Sequence, residues 1–66
     1  MKNRLKIIRL EKGLTQEKLA NLSGVSRATV CGIEKERVIP NGDTMCRLSL
    51  ALKTPVWEIF FDYDVV

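Results

Sequence analysis

Apolar residues recur every three or four positions along most of the chain, which is the spacing of helices that bury one face. Leu5 and Ile8 share one face of the first such segment, and Met45, Leu48 and Leu52 share one face of the fourth. The pattern predicts helices over residues 3–12, 16–23, 27–35 and 42–53, and a short fifth helix that ends at residue 60. The sequence therefore predicts an all-α domain of five helices.

Residues with strong terminal preferences mark the starts of the later helices. Thr15, Ser26 and Asn41 are typical N-caps, because a side-chain oxygen there can accept a hydrogen bond from a free N–H group of the first turn. Thr54 followed by Pro55 predicts an N-cap and a first helical residue for the fifth helix. These residues fix the predicted starts of helices two to five.

The segment 16–35 predicts two helices joined by a tight turn. Gly24 suits a turn residue with positive φ, and Ala20 is small enough for the two helices to cross closely. Val30 and Ile33 supply an inner apolar face for the second helix of the pair. Such a pair can place its second helix in the major groove of DNA, so the segment predicts a DNA-binding protein.

The C-terminal residues alternate apolar and acidic side chains from Phe61 to Val65, and this period of two predicts a short β-strand. A lone strand is not stable, so we expect it to pair with residues 1–4 or with the tail of a second subunit. Disorder of the last residues is the alternative.

The size and charge of the chain restrict its function. Sixty-six residues make one domain, 1–66, too small to add an effector-binding domain, so no small-molecule effector is expected. Residues 1–53 hold all eleven Lys and Arg residues and five acids, a net charge of +6, whereas residues 54–66 hold three acids and no base. The positive part is expected to face a polyanion. The sequence shows neither a membrane span nor a signal peptide, which predicts a cytoplasmic protein.

The residue types used for metal binding and catalysis are scarce. The chain has no His, and Cys31 and Cys46 have neither the spacing of zinc ligands nor the number needed for a disulfide framework. We therefore expect no cofactor, no metal site and no enzymatic activity. Two reduced thiols are expected, and oxidation of Cys31 that blocks binding is the alternative.

A longer ordered pattern surrounds the predicted helix pair. It consists of Gln16, Ala20, Gly24, Val25, Ser26, Val30 and Ile33, flanked by Lys12–Gln16, Glu34, Pro40 and Glu58–Phe60. With this pattern the chain resembles the lambda-repressor-like (Cro-type) helix-turn-helix family over residues 3–61, and its size is similar to that of small stand-alone bacterial repressors. The resemblance implies a compact five-helix fold with its helix-turn-helix at residues 16–35.

The resemblance also implies which residues face the bases. They are Arg27, Ala28 and Gly32 in the third helix, with Thr29 near the backbone. Arg27 can donate two hydrogen bonds to guanine, whereas contact with a phosphate alone is the alternative. Ala28 can meet a thymine methyl group. The small Gly32 permits close approach to the groove, or else it is only a weak point of the helix.

Contacts with DNA phosphates are implied for residues on both sides of the third helix. These are Gln16, Ser26, Thr29, Lys35 and Arg37. Glu36 stands where the family often has glycine, and an acid there opposes a phosphate. Arg9 and Glu34 match an ion pair between the first and third helices, with a structural role; an exposed and energetically minor pair is the alternative.

A single copy offers too few contacts for useful specificity, so a homodimer on a palindromic operator is expected. The apolar C-terminal segment, about 57–66, is expected to form its interface through Trp57, Phe61, Tyr63 and Val65, while Ile59 and Phe60 belong to the core. Together with the resemblance, which implies repression, these features predict a homodimeric transcriptional repressor that binds double-stranded DNA. An antitoxin-like protein-interaction module that uses the apolar C-terminal face is the alternative.

Overall fold

The computed structural model describes residues 1–61, which form five helices connected by short loops. The helices are α1 (Leu5–Glu11), α2 (Gln16–Ser23), α3 (Arg27–Glu34), α4 (Gly42–Leu52) and α5 (Val56–Phe60). The prediction of an all-α domain of five helices is confirmed. Residues 1–61 contain no strand, and the predicted C-terminal strand, with Tyr63 and Val65, lies outside the described residues. No helix in the described part is long and apolar enough to cross a membrane.

The three predicted N-caps of α2, α3 and α4 are confirmed. The side-chain oxygen of Thr15 accepts a hydrogen bond from the backbone N–H of Lys18 at 3.0 Å. Ser26 accepts from the N–H of Thr29 at 3.1 Å, and Asn41 from the N–H three residues later at 2.8 Å. Each cap satisfies a donor that the helix itself leaves unpaired, which fixes where the helix begins.

The start of α5 differs from the prediction by one residue. Pro55 is the N-cap and Val56 the first helical residue, whereas the sequence placed Thr54 at the cap and Pro55 inside the helix. Thr54 is buried, and its hydroxyl donates to the carbonyl of Leu52 at 3.0 Å instead of accepting from α5. The Ser49 hydroxyl in turn donates to the Thr54 carbonyl at 2.6 Å. Thr54 is therefore bonded to the C-terminal end of α4 and does not cap α5.

Apolar side chains from all five helices meet in one core. Its members are Leu5, Ile8, Leu19, Ala20, Val25, Val30, Ile33, Leu48, Leu52, Ile59 and Phe60. The prediction that Ile59 and Phe60 are core residues is confirmed, and Met45 packs against the core from its edge. The buried positions follow the predicted spacing of three and four residues, as expected where the hydrophobic effect selects which face of each helix points inward.

The turn before α3 sets the direction of that helix. Gly24 has φ = 73°, a left-handed conformation that glycine adopts without steric cost, and its N–H donates to the Ala20 carbonyl at 2.9 Å. Val25 follows as a buried residue whose N–H donates to the Ser23 hydroxyl oxygen at 3.2 Å. The α2–α3 pair is thus the helix-turn-helix that the sequence predicted.

Candidate nucleic-acid interface

The outer side of α3 is exposed at its N-terminal end. Arg27 and Ala28 are both exposed there, whereas Val30 and Ile33 are completely buried in the core. Thr29 and Cys31 lie between these faces and are half-buried. Because the inner residues fix the rotation of α3, the Arg27 guanidinium and the Ala28 methyl group stand on the side that can enter a groove.

Two hydroxyl groups beside this surface are linked to each other. The Ser26 hydroxyl donates to the Thr29 hydroxyl oxygen at 2.8 Å while it accepts from the Thr29 backbone N–H. Two hydroxyl protons are available and this link uses one, so the Thr29 proton is left for an outside acceptor such as a phosphate oxygen. Ser26 and Thr29 are both predicted phosphate contacts, and Ser26 also has the structural task of capping α3.

Glu34 at the end of α3 is held by two other elements. It accepts from Arg9 twice, Nε to Oε2 at 2.6 Å and Nη2 to Oε1 at 3.2 Å, and from the Gln16 amide at 3.0 Å. The side chains of Arg9 and Glu34 are only 8% and 3% exposed. Arg9 also donates to the Leu14 carbonyl at 2.7 Å. The structure brings Arg9 and Glu34 together as a buried pair, and it adds Gln16, which the sequence had placed only on a phosphate.

A further contact with α3 comes from the residues before α1. The Asn3 amide donates to the Ile33 carbonyl at 2.9 Å and to the Met1 carbonyl at 3.1 Å, while its oxygen accepts from the Leu5 N–H at 3.0 Å. Sequence reasoning did not find this residue. Asn ahead of a helix is a turn signal, but nothing in the sequence connects it with a residue thirty positions later.

The connector after α3 carries two exposed basic residues, Lys35 and Arg37. Glu36 between them has φ = 61°, a left-handed conformation that favours glycine. The position at which the family often has glycine is therefore strained in this chain. The N–H groups of Arg37 and Val38 both donate to the Gly32 carbonyl, at 2.9 and 3.2 Å. The connector is therefore folded back onto the end of α3.

The interpretation of Gly32 changes in the structure. A Cβ atom placed on Gly32 would lie 2.6 Å from Val38 Cγ2, which is closer than two carbons can approach, and 3.3 Å from Val38 Cβ, which is a tight contact. From the sequence, its small size was explained by approach to DNA or by helix weakness. The structure adds a packing reason, because Val38 of the same chain fills the space beside Gly32. Arg27, Ala28 and Gly32 stay predicted base-facing residues.

The exposed charges near α3 have one predominant sign. Arg27, Lys35 and Arg37 are exposed bases, and Glu36 is the exposed acid among them. Within residues 1–61 no group of three or more His, Cys, Asp or Glu side chains is arranged to hold a metal ion. The arrangement suits a ligand with regularly spaced negative charges and a groove that admits a helix.

These features define a helix-turn-helix protein with an exposed recognition helix. The chain belongs to the HTH_3 helix-turn-helix family of Cro/C1-type domains, whose model matches residues 5–57. This is a family of DNA-binding transcription regulators rather than enzymes.

Relatives of the chain carry the same description. An uncharacterised HTH-type transcriptional regulator of Methanocaldococcus jannaschii is 38% identical over 64 residues, which cover 97% of each chain. The uncharacterised HTH-type transcriptional regulator YgzD of Bacillus subtilis is 47% identical over 53 residues, 80% of this chain and 71% of YgzD. Among solved structures, the restriction-modification controller protein C.AhdI from Aeromonas hydrophila has a TM-score of 0.80 and 38% identity, covering 83% of both chains.

Proposed function

We propose that this protein is a homodimeric transcriptional repressor that binds a palindromic operator in double-stranded DNA. The observation that carries the proposal is the orientation of α3. Its apolar face is buried, its C-terminal Glu34 is fixed by Arg9, and its exposed N-terminal end presents Arg27. A rigid helix with an exposed Arg at its leading end is what reading a base edge requires.

Each contact residue has a separate task in this proposal. Arg27 donates two hydrogen bonds to a guanine, and Ala28 packs on the neighbouring base, where a thymine methyl group fits. Thr29, Lys35 and Arg37 hold phosphates beside the groove, as do Gln16 and Ser26 at the starts of α2 and α3. With only one strong base-reading side chain, DNA shape contributes a large part of the specificity.

The exposed apolar side chains of the C-terminal part support a dimer. Trp57 in α5 is 60% exposed and Phe61 directly after it is also exposed. Leu50 in the last turn of α4 is 78% exposed, a residue that the sequence analysis did not consider. We place these three residues in the dimer interface; Tyr63 and Val65, also expected there from the sequence, lie outside the described residues. Two copies would then read half-sites ~34 Å apart.

The comparisons support a regulatory role in the cell. C.AhdI, a controller protein of a restriction-modification system, has the same fold, and two relatives are named as transcriptional regulators. A protein that blocks a promoter needs no second domain, because occupancy alone excludes polymerase. We therefore assign repression in the cytoplasm, where the chromosome is accessible.

Selection of duplexes from a random pool tests this function directly. The purified protein is expected to enrich a two-fold symmetric sequence with a G·C pair in each half-site, and to shift it with a stoichiometry of two chains per duplex. Transcription from a promoter that contains the selected site is expected to fall when the protein is added. A protein that enriches no sequence, and co-purifies with a stoichiometric protein partner instead, would support the interaction-module alternative.

A further inference from the structure

The contact between Gly32 and Val38 joins the recognition helix to the phosphate-binding connector. Two backbone hydrogen bonds, from Arg37 and Val38 to the Gly32 carbonyl, bring the connector to this point. The Val38 side chain then occupies the volume that a side chain on residue 32 would need. Arg37, directly before Val38, is exposed.

The contact has little freedom to adjust. Val is branched at Cβ and has few allowed rotamers, and its Cβ, which rotation about χ1 does not move, lies 3.3 Å from the same point. The Val38 N–H donates to the Gly32 carbonyl, so the Val38 backbone is held against the residue on which its side chain packs. The other helical glycine, Gly42 in α4, has nothing within 4 Å of its Cβ position.

We propose that Gly32 is a positioning residue, which acts through Val38 to hold Arg37 where it can bind a DNA phosphate. The inference rests on the proposed function and adds a structural reason for a glycine inside a recognition helix. Glycine is unfavourable in a helix interior. Here its absence of a side chain lets the connector lie against α3, and this contact sets the distance between the base-reading and phosphate-binding side chains.

A salt series with single and double variants tests this role. Gly32→Ala is expected to weaken operator binding about threefold to tenfold and to lower the slope of log affinity against log salt by about 0.9 for each protomer, the loss of one phosphate contact. Gly32→Ala combined with Val38→Ala adds one methyl group on the helix and removes both Val38 methyl groups. The clash is relieved, and the double variant is expected to restore most of the affinity and the slope. Gly42→Ala is the matched control and leaves both unchanged. Arg37→Ala lowers the slope by the same amount as Gly32→Ala.

Two outcomes would overturn the inference. The first is Gly32→Ala binding as tightly as the unsubstituted protein with an equal salt slope. The second is a loss that remains when Gly32→Ala is added to Arg37→Ala, because a positioning residue has no effect once the residue it positions is absent.

Thermal unfolding of each variant shows that binding is measured on folded protein. If Gly32→Ala does not fold, Val38→Ala alone carries the test, since Val38 lies outside the core; it is expected to lower the slope, and an unchanged slope refutes the inference. Failure of the proposed function itself is distinguishable, because then the unsubstituted protein binds no duplex at all.

Discussion

Arg9 of α1 and Glu34 of α3 form a buried ion pair with two parallel hydrogen bonds, at 2.6 and 3.2 Å. The planar guanidinium matches the carboxylate in this geometry, and the Leu14 carbonyl and the Gln16 amide satisfy further groups of the pair. Glu34 is the last residue of α3, so the pair fixes the end of the helix opposite to Arg27. The orientation of the recognition helix therefore depends on a residue of α1.

Substitution of Glu34 by Gln should show how much this pair contributes. The exchange keeps the shape of the side chain but leaves the Arg9 charge buried without its partner, so the free energy of unfolding is expected to fall by about 3–5 kcal/mol. Asp43→Asn is the matched exchange in an exposed pair, where Arg47 and Asp43 are 52% and 73% exposed at 2.8 Å. It is expected to cost less than about 1 kcal/mol. Urea unfolding followed by circular dichroism measures both losses. Equal losses would show that the buried Arg9–Glu34 pair contributes no more to stability than the exposed pair.

Glu36 and Lys53 are both non-glycine residues in the left-handed conformation, with φ of 61° and 52°. Replacement of either by glycine relieves a steric cost, so Glu36→Gly and Lys53→Gly are each expected to stabilise the protein by about 1 kcal/mol. For a domain of this size that corresponds to a rise in Tm of roughly 4–8 °C.

The two glycine variants should differ in DNA binding. Glu36 lies between the basic residues Lys35 and Arg37 of the connector. In the proposed complex its negative charge opposes a phosphate, so Glu36→Gly is expected to bind DNA more tightly. Lys53 ends α4 outside the proposed interface, and Lys53→Gly should leave affinity unchanged. A fall in affinity for Glu36→Gly would contradict the assignment of the connector to the phosphate backbone.

Asn3 connects the start of α1 with the end of α3. Asn3→Ala leaves the Ile33 carbonyl without this donor and the Leu5 N–H without its acceptor, and is expected to lower the free energy of unfolding by about 1–2 kcal/mol. Hydrogen exchange of the α1 amides should become faster in the variant. Unchanged exchange and stability would show that the contact is not maintained in solution.

Trp57 tests the proposed dimer interface without disturbing the core. Trp57→Lys is expected to shift sedimentation towards the monomer and to weaken operator binding, while circular dichroism remains that of the folded protein. Leu22→Lys on α2 is the control, because Leu22 is exposed to a similar degree, 58%, outside the proposed interface. Equal self-association of Trp57→Lys and the unsubstituted protein would place the interface elsewhere.

The helices could be predicted from sequence because their signals are local. Thr15, Ser26 and Asn41 act on N–H groups within three residues, and the core residues repeat with the helical period. The error at α5 has the same origin. Thr54 followed by Pro55 satisfies the local rule for a helix start. In the structure, however, the buried Thr54 hydroxyl is bonded to the Leu52 carbonyl of α4 instead of capping α5.

The candidate site was less predictable, because its contacts join distant parts of the chain. Arg9 and Glu34 were paired only through the family resemblance, since twenty-five residues separate them. The contacts of Asn3 with Ile33, and of Val38 with Gly32, follow from how α1 and the connector pack on α3. The spacing of residues in the sequence carries no information on such packing.

The binding of Arg27→Ala to the selected operator, compared with its binding to a duplex that lacks the half-site guanine, tests the central claim most directly. The unsubstituted protein should distinguish the two duplexes by about 1–3 kcal/mol per half-site, and the variant should lose both that affinity and that discrimination. Lys35→Ala is the matched control, because it removes another positively charged side chain near α3. It should weaken binding to both duplexes alike and lower the salt slope. An Arg27→Ala protein that keeps the affinity and the discrimination of the unsubstituted protein would show that α3 does not read the operator through its leading end.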